Sequence, residues 1–355
     1  MANTYTHQYI MLTTLEKLVS SFPQNDWNWW ELSCNPNITP EFIFSRLHLP
    51  WRVQALPFNP SITPEFIENH PEIIWGGLIG WRWLSDNPGI TPEFITAHID
   101  EEWCWAGISK NPCITPAFVL ANLDRDWNLV MLSKNPAMTV DFIEAQPKLR
   151  WQWRELSRNP SITPAFVLAN LKRSWDWRAL SRNPAITPDF VTTHPEFPWD
   201  WTRLSFNPSI TPEFVTSNPD KPWCWYALSC NPAMTVDFIK AHRDLPWDWE
   251  GLSKNPSITM AFIEETINHG WKWEKLSYNP ALTYEFVVSH PALPWKWDGL
   301  SRNRFESDSY RGILATHLQQ RVQKAITAFK FRRNLATAIA LPLNRYIITH
   351  ITHFL

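Results

Sequence analysis

Between Trp27 and Asn303 the apolar residues neither alternate nor run together. They return in a fixed order: Trp-x-Trp-x-x-Leu, then Ile, then Phe followed by Ile or Val, with Ser-x-Asn-Pro set among them. The stretch WDWRALSRNPAITPDFVTTHPEFP, 175–198, is followed at once by WDWTRLSFNPSITPEFVTSNPDKP, 199–222. The Asn positions run 35, 59, 87, 111, 135, 159, 183, 207, 231, 255, 279 and 303, spaced by 24 except for 28 between Asn59 and Asn87. A fixed period of this size marks a repeat architecture in which each unit buries its apolar face against its neighbours.

Each unit carries its own start and stop signals. Thr stands four residues after the Asn in all eleven complete units, from Thr39 to Thr283, usually followed by Pro, then an acid, then always Phe. Thr suits an N-cap, Pro the first helical position, and an acid the positive end of the helix dipole. Eleven residues after the Asn comes His or Asn, often with Pro next, which ends the helix. A second short helical segment carries the Trp pair and the Leu. Residues i and i+2 on a helix point about 200° apart, so one Trp is expected between successive units and the other against the Thr-Pro helix.

The implied fold class is all-α: a right-handed α-solenoid, a superhelical rod or arc of about twelve 24-residue units, each of two short helical segments. Residues 1–22 read as an N-terminal capping helix, 23–302 as the tryptophan-repeat solenoid, and 303–355 as a basic helical C-terminal cap or tail. The four extra residues fall near 73–80, where Gly76, Gly77 and Gly80 suggest a bulge or hinge.

The combination Leu-x-x-Asn-Pro with Thr-Pro-acid, as at 180–184 with Thr187, Pro188 and Asp189, resembles the leucine-rich repeat variant, an α/3₁₀ superhelical repeat. Trp here replaces the residues of its first segment, and its cluster-binding cysteines have no counterpart. The whole motif W-x-W-x-x-L-S-x-N-P-x-I-T-P-E-F is more similar to the tryptophan-repeat protein families of large cytoplasmic DNA viruses. That resemblance implies a viral repeat scaffold and transfers no catalytic residue.

Composition adds three constraints. The 24 Trp and 31 Pro exclude both disorder and long helices over most of the chain. Cys34, Cys104, Cys113, Cys224 and Cys230 follow the repeat and form no CxxC pair, so they read as semi-buried free thiols of a reducing compartment. The N-terminal MANTYTHQYIMLTTLEKL has no long apolar run and nothing reaches transmembrane length, so a cytoplasmic location is expected, in a host cell or a virion if viral, and not secretion.

The net charge of −2 hides a contrast: 309–355 carries seven positive charges and no acid, leaving −9 to the rest. Arg321, Lys324, Lys330, Arg332 and Arg333 are candidate tail contacts, either within a cap or on a membrane surface, an acidic partner or nucleic acid. Lys110, Lys134, Arg158, Arg182, Lys254 and Arg302 each precede an anchor Asn and are expected to form a basic stripe, solvated or bound to an extended anion. The structural repeat is represented by Trp175, Trp177, Leu180, Asn183, Thr187 and Phe190, and again by Trp199, Trp201, Leu204, Asn207, Thr211 and Phe214. With so few other apolar residues per unit, the Trp pair is expected to be core, not a ladder of binding sites. Variable residues beside it, such as Asn28, Asp176, Arg178, Asp200 and Asp248, are the expected binding positions.

No phosphate loop, HExxH or nucleophile elbow occurs, so no enzyme, metal or cofactor is called for. The expected function is a non-enzymatic scaffold for protein–protein interaction, with protein partners of unknown identity. The alternatives are a nucleic-acid or acidic-ligand binder using the stripe and tail, and a virion component anchored by the C-terminal segment, with peripheral membrane contact through the tail.

Overall fold

The structure is a computed structural model that describes residues 12–70 and 80–305. The described residues are helices and turns without a strand. By contacts the chain divides into two units, Met1–Phe305 and Glu306–Leu355, and the repeats make up the first. The hinge expected near 73–80 lies outside the described residues except for Gly80.

Most layers pair a short helix that opens on the second Trp with a helix begun by Thr; in the layer of Asn183 these are Trp177–Arg182 and Pro188–Thr193, and Trp175, expected on the same helix as Trp177, instead precedes the extended N-cap Asp176. Both are brief because their caps are built into the sequence. Thr187 Oγ1 accepts from Phe190 N–H at 3.4 Å, and Asp176 Oδ1 accepts from Ala179 N–H at 3.0 Å. The Trp helix stops at Asn183, whose extended backbone (ψ 128°) is what a following Pro demands. Asn28, Asp176, Asp200 and Asp248, expected as binding positions, are thus partly committed as N-caps. The helix-ending residues act as expected: Asn170 Nδ2 donates to Phe166 O at 3.0 Å, and His290 Nδ1 lies 3.0 Å from Phe286 O.

The Trp residues divide their work. Trp175 is buried, and its Nε1 donates to Asn170 O at 2.9 Å, closing the preceding turn. Its ring meets Trp153 of the preceding layer edge-on at 5.2 Å and Phe166 at 6.0 Å. Trp153 in turn stacks on Phe166 of its own layer, 14° from parallel. The first Trp therefore joins layers and the second joins the two helices of one layer. Edge-on pairs of this kind contribute about 0.5–1.5 kcal/mol beyond the area they bury.

A polar spine runs beside this core. The anchor Asn side chains are all buried, and each aims Nδ2 at carbonyls of the layer before: Asn183 donates to Asn159 O at 2.9 Å and Ser157 O at 3.0 Å. Its Oδ1 accepts from Ala185 N–H at 2.9 Å. The Ser before it accepts from the next layer, as Ser181 Oγ does from Asp200 N–H at 3.0 Å. These bonds satisfy the backbone groups that so many helix ends leave bare.

The row of layers closes on itself. Asn35 Nδ2 donates to Ser301 O at 2.8 Å and to Asn303 O at 3.0 Å, and Asn28 N–H donates to Ser301 Oγ at 3.0 Å. Trp27 meets Trp297 edge-on at 4.9 Å, as Trp127 meets Trp105 at 5.0 Å. Arg302 pairs with Glu31 at 3.1 Å, as Lys134 pairs with Glu155 at 3.1 Å. One apolar cluster holds Leu15, Trp27 and Leu32 together with Trp295, Leu300 and Phe305. Residues 12–305 thus differ from the expected rod or arc with a helical cap at each end: the first and last layers meet each other.

The helix Thr14–Ser21, expected as an end cap, is the Thr helix of the twelfth layer. It packs on Tyr284–Ser289 and takes the place that follows Asn303. Phe22 stands thirteen residues before Asn35 and its carbonyl accepts from Trp27 Nε1 at 2.8 Å, the part Asn170 plays for Trp175. The buried Glu16 carboxylate accepts from Thr13 N–H at 2.8 Å, Thr39 N–H at 2.7 Å and Thr39 Oγ1 at 2.6 Å, so it ties this helix to the next layer. Phe305, at a φ of 43°, is buried in the same cluster as Leu15 and Leu18. The last layer is therefore made from both ends of the repeat.

Direct packing between layers is closest among the Trp helices. In a closed ring the closer-spaced set lies at the smaller radius, so the Trp helices form the inner wall. Small residues four before several of the Asn permit the approach: a Cβ at Gly107 would stand 2.9 Å from Ser85 Cβ, and one at Gly251 would stand 2.6 Å from Ser229 Cβ. The second layer is the exception, because Pro57 replaces the Ser and the segment Val53–Phe58 winds as a 3₁₀ helix. That junction keeps the Asn87 bonds to Asn59 O (3.0 Å) and Ile62 O (3.1 Å) but has no hydroxyl at position 57.

Candidate functional site: an arginine cleft on the inner wall

The ring segregates charge. Acids stand in the first turn of most Thr helices, on the outer side: Glu41, Glu65, Glu93, Asp141, Asp189 and Glu213 among them. The inner wall of the middle layers carries the bases instead, because Lys110, Lys134, Arg158 and Arg182 stand just before the anchor Asn in four successive layers.

The expected basic stripe is therefore present as an arrangement, but most of it is neutralised. Lys110 pairs with Asp86 at 2.9 Å, and Lys134 and Arg158 share Glu155 at 3.1 and 3.3 Å. Lys254 pairs with Glu250 at 2.9 Å, and Arg302 with Glu31. Partial burial works against the Lys254 charge, yet hydrogen bonds to Glu250 and Tyr226 hold its pKa above the ordinary lysine value. Exposed pairs of this sort stabilise little, about 0–1 kcal/mol each. They do reduce the stripe's pull on an extended anion.

Of the six stripe residues, Arg182 alone has no carboxylate within ion-pair distance among the described residues. Arg158, Arg178, Arg182 and Arg203 line a cleft of about 480 Å³ with Asp176, Ala179, Asn183 and Pro184. Arg158 reaches Asp176 at 3.0 Å and Arg178 reaches Asp200 at 3.2 Å. Arg182 lies over the Phe206 ring at 5.2 Å, a cation–π contact that positions the guanidinium without neutralising it. Among the described residues, neither Arg182 nor Arg203 has a carboxylate partner within ion-pair distance. Of the four guanidinium groups, Arg158 and Arg178 are paired with Glu155, Asp176 and Asp200, and the unpaired Arg182 and Arg203 leave the cleft a local excess of positive charge.

The structural repeat residues sit elsewhere. Trp175, Trp199, Leu180, Leu204, Phe190, Asn183 and Asn207 are buried, while Trp177, Trp201 and Phe214 are half-buried against the core. Thr187 and Thr211 cap their helices. Only Trp30 among the described Trp residues is an exposed side chain, at 43%. Arg321, Lys324, Lys330, Arg332 and Arg333 lie outside the described residues.

The basic stripe does not include Arg203, which stands four residues before its Asn, where several other layers hold Gly or Ala. Its signal in the sequence is that departure from a small residue. The five cysteines are free and half-buried, and burial, with the nearby Glu31 carboxylate, pushes the Cys34 thiol up to about 11. No group of His, Cys, Asp and Glu among the described residues could hold a metal ion. No helix among them is long and apolar enough to cross a membrane. A scan against protein-family models, a search of the curated proteins and a search of the solved structures each found no match.

Proposed function

We propose that the chain is a non-enzymatic interaction scaffold: a right-handed α-solenoid, closed into a ring over residues 12–305, that presents a variable surface to protein partners. One observation carries this reading. The buried residues of each layer are nearly constant, whereas the inner-wall pair five and one residues before the Asn is not. It is Arg154 and Arg158 in one layer, Thr202 and Phe206 two layers on, and Glu250 and Lys254 two layers further. Repeat proteins bind through variable positions on a constant core, and a periodic core with an aperiodic wall has that form. The resemblance to viral tryptophan-repeat families supports assigning the chain to a virus and to a host cytoplasm or virion.

Affinity capture with the full chain tests the reading. A discrete partner set that is lost on substituting inner-wall residues of two layers (Thr202→Arg with Glu250→Arg) is the expected result. Capture that ignores those substitutions while depending wholly on Arg332 and Arg333 would favour an anchored structural role instead. The arginine cleft favours a second reading, an acidic-ligand binder.

A further inference from the structure

We infer that the cleft of Arg158, Arg178, Arg182 and Arg203 is a binding site for a small, compact polyphosphate: several phosphate groups on one small molecule. This goes beyond the scaffold reading and does not depend on it.

The chemistry of the donors points to phosphate. A guanidinium offers planar paired N–H donors that match two phosphate oxygens at once and keep their charge at any working pH. The cleft brings four of them together from three successive layers. Two are oriented by carboxylates: Arg158 is held at both terminal nitrogens, by Glu155 and Asp176, and Arg178 is held by Asp200 through Nε, which leaves its terminal nitrogens outside that pair. The other two, Arg182 and Arg203, have no carboxylate among the described residues, and Arg182 is steadied by the Phe206 ring. A single carboxylate or chloride could satisfy one such group, whereas two unpaired forks beside two paired ones suit several phosphate groups held close together.

The shape points to a compact ligand and away from a nucleic-acid strand. Among the described residues lining the cleft there is no aromatic side chain on which a base could stack. The unpaired charge is also short. On one side Lys110 and Lys134 are engaged by Asp86 and Glu155, and on the other the inner wall turns to Thr202, Phe206, Tyr226 and Cys230. With layers about 10 Å apart, the open cationic stretch covers roughly two layer spacings. A cleft of about 480 Å³ lies within the usual range for a small-molecule site.

Titration calorimetry on the full chain, at about 100 mM salt, with inositol hexakisphosphate and with inorganic tripolyphosphate as probes, tests this. Saturable one-to-one binding of both is expected. Arg182→Ala and Arg203→Ala should each weaken it roughly tenfold or more, because each removes a charge-assisted fork. Arg332→Ala with Arg333→Ala should leave it unchanged. Circular dichroism checks the fold of each variant. Should either Ala variant fail to fold, Arg182→Lys and Arg203→Lys decide, since a lysine keeps the charge but loses the paired donors and must still weaken binding. No saturable binding, binding indifferent to both arginines, or binding lost only in the Arg332/Arg333 variant would overturn the proposal. A 24-nucleotide single strand that binds tighter than either probe and competes at the cleft would overturn it in favour of a strand site. Loss of protein partners without loss of the probes would affect the scaffold reading alone.

Discussion

Asn35 donates its side-chain N–H to the main-chain oxygen of Asn303 at 3.0 Å, the same bond that Asn135 makes to Asn111 at 2.9 Å across a single repeat. The spine of buried amides therefore crosses the seam without a change of register. The seam is an ordinary layer junction whose two sides happen to lie 268 residues apart in the chain.

If the helix 14–21 completes the last layer, damaging it should loosen both neighbours. Leu15 and Leu18 are fully buried. Leu15→Ala is expected to cost about 2–5 kcal/mol. Hydrogen exchange should rise in 27–35 and 296–303 together, while layers near Asn159 keep their protection. Increased exchange confined to residues 14–21 would show that the helix is an appendage.

The spine can be tested at one link. In Asn183→Asp the donors to Ser157 O and Asn159 O become acceptors, so both carbonyls face a carboxylate, and Asn159 O keeps only the Ile162 N–H at 3.2 Å. A loss of about 1–3 kcal/mol or more in chemical denaturation is expected, from unsatisfied buried groups. Ser209→Ala, which removes only an exposed bond to Pro184 O at 2.5 Å, should cost less.

The Trp pair offers an internal comparison. Trp175→Ala removes a buried ring and its Nε1 bond, and about 3–5 kcal/mol should be lost. Trp30→Ala removes an exposed ring and should shift stability by less than about 0.5 kcal/mol. Equal effects in urea titrations would contradict the division between core and surface.

Acid should weaken the seam. Hydrogen bonds from Asn28 (2.6 Å) and Tyr278 (2.8 Å) hold the Asp298 carboxyl below its ordinary pKa, with partial burial opposing them and Arg302 adding to them. A depressed carboxylate contributes stability that is fully present above its unfolded pKa and is lost as pH falls through the lower folded value. Denaturation midpoints should therefore drop more steeply below about pH 4 for the native chain than for Asp298→Asn. Parallel curves for the two proteins would remove Asp298 from the seam's energetics.

Much of the layer was legible in the sequence, for local reasons. Thr187-Pro188 and Asn183-Pro184 dictate where helices start and stop through caps and backbone restriction alone, and the shortage of other apolar residues put Trp175 in the core. Closure was not legible in the same way, because curvature accumulates from small rotations that no single repeat encodes. Traces of it existed. Asn303 keeps the anchor Asn although Arg304 replaces the Pro, and Leu18, Val19 and Phe22 stand before Trp27 in the apolar and helix-ending slots that Phe190, Val191 and His194 hold before Trp199. The arginine cleft was half visible. Arg158 and Arg182 stood out by their place in the period, but the ion pairs that silence Lys110 and Lys134 depend on acids in neighbouring layers, Asp86 and Glu155.

The shared twelfth layer also governs how such a chain can change in length. A linear stack can gain or lose a unit at either end and leave the other interfaces alone. Here the layers meet end to end, so deleting 24 residues would oblige the remaining junctions to bend further before Asn35 could meet Asn303. Copy number and curvature are locked to one another. A cut in one of the exposed turns between a Thr helix and the next Trp, such as that at 195–198, with residues 12 and 305 rejoined by a short linker, should by contrast preserve the buried spine, because the circle has no preferred starting point.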